Sequence, residues 1–143
     1  MQFSTTEAGP KTATIKELVI TARTEEVDLP HSGVSDEDID GIKQFRNIRT
    51  LILGENNITN LGFVTICNSF LELKKLFINH NQITDDGLSS IVKLKSLKCL
   101  DLRCNKITSE SLKYISQLPL LGQLSLSNND ISDQYLGELL SLQ

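Results

Sequence analysis

Hydrophobic positions recur along most of this chain in a unit of 24 or 25 residues. Four segments align without adjustment: Ile48-Arg-Thr-Leu-Ile-Leu-Gly-Glu-Asn56, Leu73-Lys-Lys-Leu-Phe-Ile-Asn-His-Asn81, Leu97-Lys-Cys-Leu-Asp-Leu-Arg-Cys-Asn105 and Leu121-Gly-Gln-Leu-Ser-Leu-Ser-Asn-Asn129. Each reads L-x-x-L-x-L-x-x-N, and a degenerate fifth copy, Thr24-Glu-Glu-Val-Asp-Leu-Pro-His-Ser32, precedes them. The marker residue falls at 32, 56, 81, 105 and 129, with one extra residue in the second unit between Ile66 and Phe70. Numbered from the first Leu, positions 1, 4, 6, 11, 16, 19 and 22 are apolar at 34 of 35 sites, Thr24 being the exception. Against a hydrophobic background of 39%, chance does not produce this agreement.

Positions 4 and 6 alternate as a half-buried strand requires. Ser or Thr follows position 11, usually with acids close behind, as in Ser35-Asp-Glu-Asp38, Thr84-Asp-Asp86, Thr108-Ser-Glu110 and Ser132-Asp133. These are helix N-caps with negative charge where the helix dipole favours it. The 16/19 spacing then sets Ile39/Ile42, Leu88/Ile91, Leu112/Ile115 and Leu136/Leu139 on one helical face. A single unit cannot bury its own ridge, so neighbours must stack. Asn56, Asn81, Asn105 and Asn129 follow the strands, where the turning backbone needs both donors and acceptors, and an amide side chain offers both. This ladder is read as structural.

On these motifs the chain resembles the leucine-rich-repeat superfamily over residues 24–143. The resemblance implies an α/β solenoid, a right-handed arc of about five repeats, with a parallel sheet on the concave side and short convex helices. Its helical backing is similar to the ribonuclease-inhibitor-like and other intracellular types, with a shorter unit. The expected units are 24–47, 48–72, 73–96, 97–120 and 121–143. Residues 1–23 form a tail and a cap: Ile15, Leu18, Val19 and Ala22 follow helical spacing, so a cap helix is favoured there. Ile15-Lys-Glu-Leu-Val-Ile20 also fits L-x-x-L-x-L, but it lies too close to the next copy to be another coil. Glu17-Leu-Val-Ile20 is similar to a run near the start of the acidic leucine-rich nuclear phosphoproteins, without their long acidic tail. At the far end the last helix, about 133–142, serves as a cap, or the edge is covered by another chain, or the sequence is part of something longer.

Charge narrows the function. The net charge of −4 argues against sequence-independent nucleic-acid binding. Residues 1–40 carry nine acids and three bases, and residues 41–143 carry nine acids and eleven bases. Three cysteines, Cys67, Cys99 and Cys104, cannot all pair, and no signal-like segment opens the chain, so free thiols in a reducing compartment are expected. The sequon Asn57-Ile58-Thr59 therefore carries no weight. No apolar run approaches the roughly 20 residues of a membrane span. An intracellular location is expected, cytoplasmic or nuclear, with an effector delivered into a host cell still open.

The superfamily's scaffold hosts many roles, so function must come from the surface. Outward strand positions stack in columns: Asp28, Ile52, Phe77, Asp101 and Ser125 at position 5; Glu26, Thr50, Lys75, Cys99 and Gln123 at position 3; Pro30, Gly54, Asn79, Arg103 and Ser127 at position 7. Ile52 beside Phe77, rimmed by Asp28, Lys75, Asn79, Asp101 and Arg103, reads as an apolar anchor for a protein or peptide partner. A basic column at position 2, Arg49, Lys74 and Lys98, is read as a solvated edge, with an acidic peptide or phosphate contact as the sharper alternative. His80, Cys104 and Cys99 do not make a zinc site, because residues 99 and 104 lie five strand steps apart. Gly62, Gly87 and Gly137 fit no phosphate-cradling loop. The expectation is a non-enzymatic interaction module without cofactor, metal, nucleic acid or membrane, with edge-mediated self-association open. The alternative is a structural segment of a larger protein whose activity lies elsewhere.

Overall fold

Three-residue strands are what L-x-x-L-x-L can supply before the chain must turn, and five of them form one parallel sheet: β3 (Glu26–Asp28), β4 (Thr50–Ile52), β5 (Lys75–Phe77), β6 (Cys99–Asp101) and β7 (Gln123–Ser125). They lie in sequence order, each in register with the next by one repeat, so that Leu51 faces Leu76 and Leu76 faces Leu100. The structure is a computed structural model that describes residues 11–132. The tail before Lys11 and the helix expected at about 133–142, with Leu136 and Leu139, lie outside the described residues. Short helical returns complete the first four units: α1 (Asp36–Asp40), α2 (Asn60–Ser69), α3 (Asp85–Leu88) with a 3-10 turn after it, and α4 (Leu112–Ile115) with a 3-10 turn before it.

Every inward position of the three middle repeats is buried, and the core is one continuous cluster, mostly of Leu, Ile and Phe with Val27, Val34 and Cys67. Exceptions sit at the ends: Thr24 and Leu29 in the first repeat, and Leu124, Leu126 and Ile131 in the last, are half-buried. The extra residue of the second repeat is absorbed by α2, which is ten residues long and buries Phe63, Ile66 and Cys67. The other returns stay at four or five residues of α-helix.

After each strand the backbone turns through a left-handed residue at position 8. His31, Glu55, His80, Cys104 and Asn128 have φ of 50°, 57°, 54°, 57° and 58°. Such a conformation costs a non-glycine residue roughly 1–2 kcal/mol. The amide donates to the position-7 carbonyl of the next repeat, as from His31 N to Gly54 O (2.8 Å) and from His80 N to Arg103 O (2.8 Å). The kink also points the following asparagine inward. Asn81 Oδ1 accepts from Ile58 N (2.9 Å), and its Nδ2 donates to the carbonyls of Leu53, Ile78 and Asn79. Asn56, Asn105 and Asn129 repeat the pattern, each tying its own turn to that of the preceding unit.

A second ladder runs along the helix starts, and it departs from the expected role of the acids. Asp36 and Asp85 do stand in the first turns of α1 and α3, yet their carboxylates reach across to the next unit. Asp36 Oδ1 accepts from Thr59 N (2.9 Å) and Gly62 N (3.0 Å), and Asp85 Oδ1 accepts from Thr108 N (2.9 Å). The hydroxyls of Thr59 and Thr108 donate to the same carboxylates, as does that of Ser111 to Asp85. Asn60 Oδ1 accepts from Thr84 N (2.9 Å) while its Nδ2 donates to the Thr84 hydroxyl (2.7 Å), and Ser109 Oγ accepts from Ser132 N (2.8 Å). Gly62 and Gly87 are needed beside this ladder, because a Cβ on either would collide with the Asp36 or Asn60 side chain. Burial opposes the charge of Asp85, but the hydrogen bonds from Ser111 and Thr108 outweigh it and hold the carboxyl below the usual carboxylate range. Of the expected N-caps, Ser35 forms a reciprocal capping box with Asp38, and Thr108 accepts from Glu110 N (3.2 Å). Thr84 makes no cap bond of its own, since its hydroxyl accepts from Asn60 instead.

The first strand is not covered by a helix. The cap helix favoured for this stretch is replaced by an antiparallel hairpin, β1 (Thr12–Ile15) with β2 (Leu18–Thr21). Ile15 and Ile20 are buried, whereas Val19, which the helical reading placed on one face with Ile15, is 57% exposed. The reason is the connection: Lys16 and Glu17 both have positive φ (47° and 74°), as the twist of a two-residue hairpin loop demands. Lys16 Nζ lies 3.5 Å from Asp38 Oδ2 and Asn47 Nδ2 donates to Ala22 O (2.7 Å), which fastens the hairpin region to the first repeat. Glu17→Gly is expected to raise stability by about 1 kcal/mol, because glycine takes that φ without strain. Thermal unfolding of the two proteins checks it, and a lower midpoint for the variant would contradict the hairpin.

Candidate functional site

The register of the sheet assembles the position-5 column. Asp28 pairs with Ile52, Ile52 with Phe77, Phe77 with Asp101 and Asp101 with Ser125. Neighbouring strands are about 4.8 Å apart, so Ile52 and Phe77 form one apolar step on the sheet face. Both outward residues are half-buried, because a column in a continuous sheet shields each member with the next. Lys75 and Asp28 are exposed at its sides. Asn79 is half-buried and lies over Gly54: a Cβ there would stand 2.7 Å from Asn79 Oδ1, so the glycine makes room for the amide.

Asp101 departs from its expected role as a free rim charge. It is buried, with 7% of its surface exposed, and its carboxylate is engaged by Arg103 through Nε to Oδ1 (2.9 Å) and Nη2 to Oδ2 (2.7 Å). The Arg103 amide adds a third bond to Oδ1 (3.1 Å). Burial opposes the charge of Asp101, but the hydrogen bonds and charge of Arg103 outweigh it, so its carboxyl is held below the usual carboxylate range. The forked pair fixes a guanidinium that is 48% exposed at the end of the column. The arrangement thus holds an apolar step, an exposed ammonium at Lys75, an exposed carboxylate at Asp28 and a pre-oriented guanidinium.

Chemistry of other kinds finds little support here. Burial pushes the Cys67 thiol far up and raises that of Cys99, which disfavours the thiolate a nucleophile needs. Cys104 accepts a hydrogen bond from Asn128 Nδ2 (3.3 Å). Among the described residues no group of His, Cys, Asp and Glu is placed to hold a metal ion, and no helix is long and apolar enough to cross a membrane.

Comparison with known proteins bears on the scaffold. Two family models, both described as leucine rich repeat, match residues 46–67 and 72–131. No curated protein matches the chain. Among solved structures, an internalin C2 from Listeria monocytogenes is 30% identical, with 72% of this chain and 42% of that one covered at a TM-score of 0.57. The BIR3–SERK2 complex from Arabidopsis thaliana gives 24% identity, 87% and 64% coverage and a TM-score of 0.56. Leiomodin-1 actin-binding site 2 gives 14% identity, 82% and 76% coverage and a TM-score of 0.63. The chain therefore spans less than half the length of the internalin it matches. Repeat length, strand register, asparagine ladder and matched families agree, and the chain belongs to the leucine-rich-repeat superfamily.

Proposed function

We propose that the chain is a non-enzymatic protein-binding module whose sheet face receives a protein or peptide over Ile52 and Phe77. The observation that carries this reading is the side-by-side placement of two half-buried apolar residues at the centre of an otherwise polar column. An anchor of this kind gains by losing its remaining water contact, while charges around it orient the partner. Arg103 loses little side-chain freedom on binding, because Asp101 already holds it. Solved structures of similar fold include an assembly, BIR3 with SERK2, and an actin-binding site of leiomodin-1, which supports reading the scaffold as one used for protein contacts. Three free cysteines suit a reducing compartment, and an intracellular site of action is part of the proposal.

Affinity capture followed by mass spectrometry, with wild type set against a Phe77→Ala/Lys75→Glu variant, tests partner and face together. Phe77→Ala alone is expected to weaken a captured partner about tenfold or more in direct titration, as truncation of an interface anchor does. Equal capture by wild type and the double variant would remove the sheet face from the proposal.

A further inference from the structure

The repeat also lays residues of one phase along the edge where the strands begin. Position 2, just before each strand, is Glu25 in the first unit and then Arg49, Lys74 and Lys98 in three successive units. Their backbones are laced together: Arg49 O accepts from Lys74 N (2.7 Å) and Lys75 N (3.1 Å), and Lys74 O accepts from Lys98 N (2.8 Å) and Cys99 N (3.1 Å). The three side chains therefore start from points about 4.8 Å apart. Lys74 and Lys98 are exposed. Arg49 is half-buried, and its Nη1 has no hydrogen-bond partner, the Glu72 carboxylate standing 3.7 Å away. Exposed Arg46 and Lys95 precede the same strands in the turns before Ile48 and Leu97. Among the described residues, Glu72 is the one carboxylate within ion-pair distance of these five cations.

Like charges in facing positions of neighbouring strands repel, and nothing in the core calls for them. The opposite edge, where the helices begin, has the other sign: Asp36, Glu37, Asp38, Asp85, Asp86 and Glu110 lie there. A solenoid with charge so divided favours an anionic partner on one edge alone. A polyanion long enough to wrap the molecule meets the acidic edge and a net charge of −4. A short anionic segment meets mainly the cations, with Glu25 and Glu72 confined to the Arg49 end. From Arg49 to Lys98 is about 10 Å, which three to four extended residues cover.

We infer that the edge carrying Arg46, Arg49, Lys74, Lys95 and Lys98 is a docking surface for a short acidic segment of polypeptide. It is distinct from the Ile52/Phe77 face, so either surface can fail without the other. The test titrates the full chain against fluorescein-labelled ten-residue polyglutamate, read by anisotropy, with a labelled ten-nucleotide oligothymidylate in parallel. Wild type binds the polyglutamate, more weakly as salt rises. Lys74→Glu/Lys98→Glu weakens it by about tenfold or more. Lys106→Glu/Lys113→Glu makes the same change in net charge away from this edge and leaves binding within about twofold. Lys74→Gln/Lys98→Gln, which adds no repulsion, falls between wild type and the charge reversal. The inference is overturned if wild type does not bind polyglutamate, if the two charge-reversed pairs lose affinity equally, or if the oligothymidylate binds tighter than the polyglutamate.

Discussion

Asn81→Ala is expected to destabilise the protein by about 3 kcal/mol, read from urea unfolding followed by circular dichroism. The side chain is 8% exposed and joins four backbone groups from two turns. Its removal does not strand all four. Leu53 O keeps the bond from Asn56 Nδ2, Ile78 O keeps that from Asn105 Nδ2, and Asn79 O keeps that from Glu55 N. The buried amide of Ile58, however, loses the partner it has in Asn81 Oδ1. An orphaned buried amide costs roughly 1–3 kcal/mol, and the lost share of three carbonyl bonds brings the sum to the expected value. Asn81→Asp is the informative companion. It keeps an acceptor for Ile58 but turns an anionic oxygen toward three carbonyls, so it should cost at least as much. A loss below about 1 kcal/mol for the alanine variant would mean that the ladder is not what holds adjacent coils together.

Phe63→Ala should cost about 4 kcal/mol in the same measurement, the range for truncating a buried phenylalanine. Phe63 is fully buried in α2, the return that accommodates the extra residue of the second repeat. Ile39, Leu88 and Leu112 fill the corresponding place in the other described units. Phe63→Leu therefore substitutes a side chain that the architecture already uses, and it should cost about 1.5 kcal/mol or less. If leucine proved as damaging as alanine, the larger ring would be a requirement of the longer unit rather than one choice among several.

The core was legible because one rule, repeated five times, averages out local ambiguity: Thr24 reads as polar alone and as an inward position in alignment. The position-5 column was legible for the same reason, since parallel register turns equal phase into adjacency. What escaped the sequence depends on backbone geometry or on pairs distant along the chain. Lys16-Glu17 is a hairpin loop without the Asn-Gly or Asp-Gly that announces one, so spacing alone suggested a helix. The burial of Asp101 depends on Arg103 folding back onto it, and neither residue type implies that. The bonds from Asp36, Asn60 and Asp85 to the next unit span 23 to 26 residues, and the same acids make good first-turn residues, which masked the second use. A small residue at Gly62 and Gly87, two places after Asn60 and Asp85, was the available hint. Position 8 offered none: His, Glu, Cys and Asn all adopt the left-handed turn, so the repeat imposes that conformation and the residue does not.

The paired ladders also set how the molecule bears load. Asparagine turns and helix-start carboxylates stitch each coil to its immediate neighbour, with bonds that reach 22 to 28 residues along the chain and no farther. Under tension between the termini every seam carries the same load, and an outermost coil, stitched on one side only, is expected to release first. Extension is therefore expected to proceed by whole coils, with the seam as the unit of rupture.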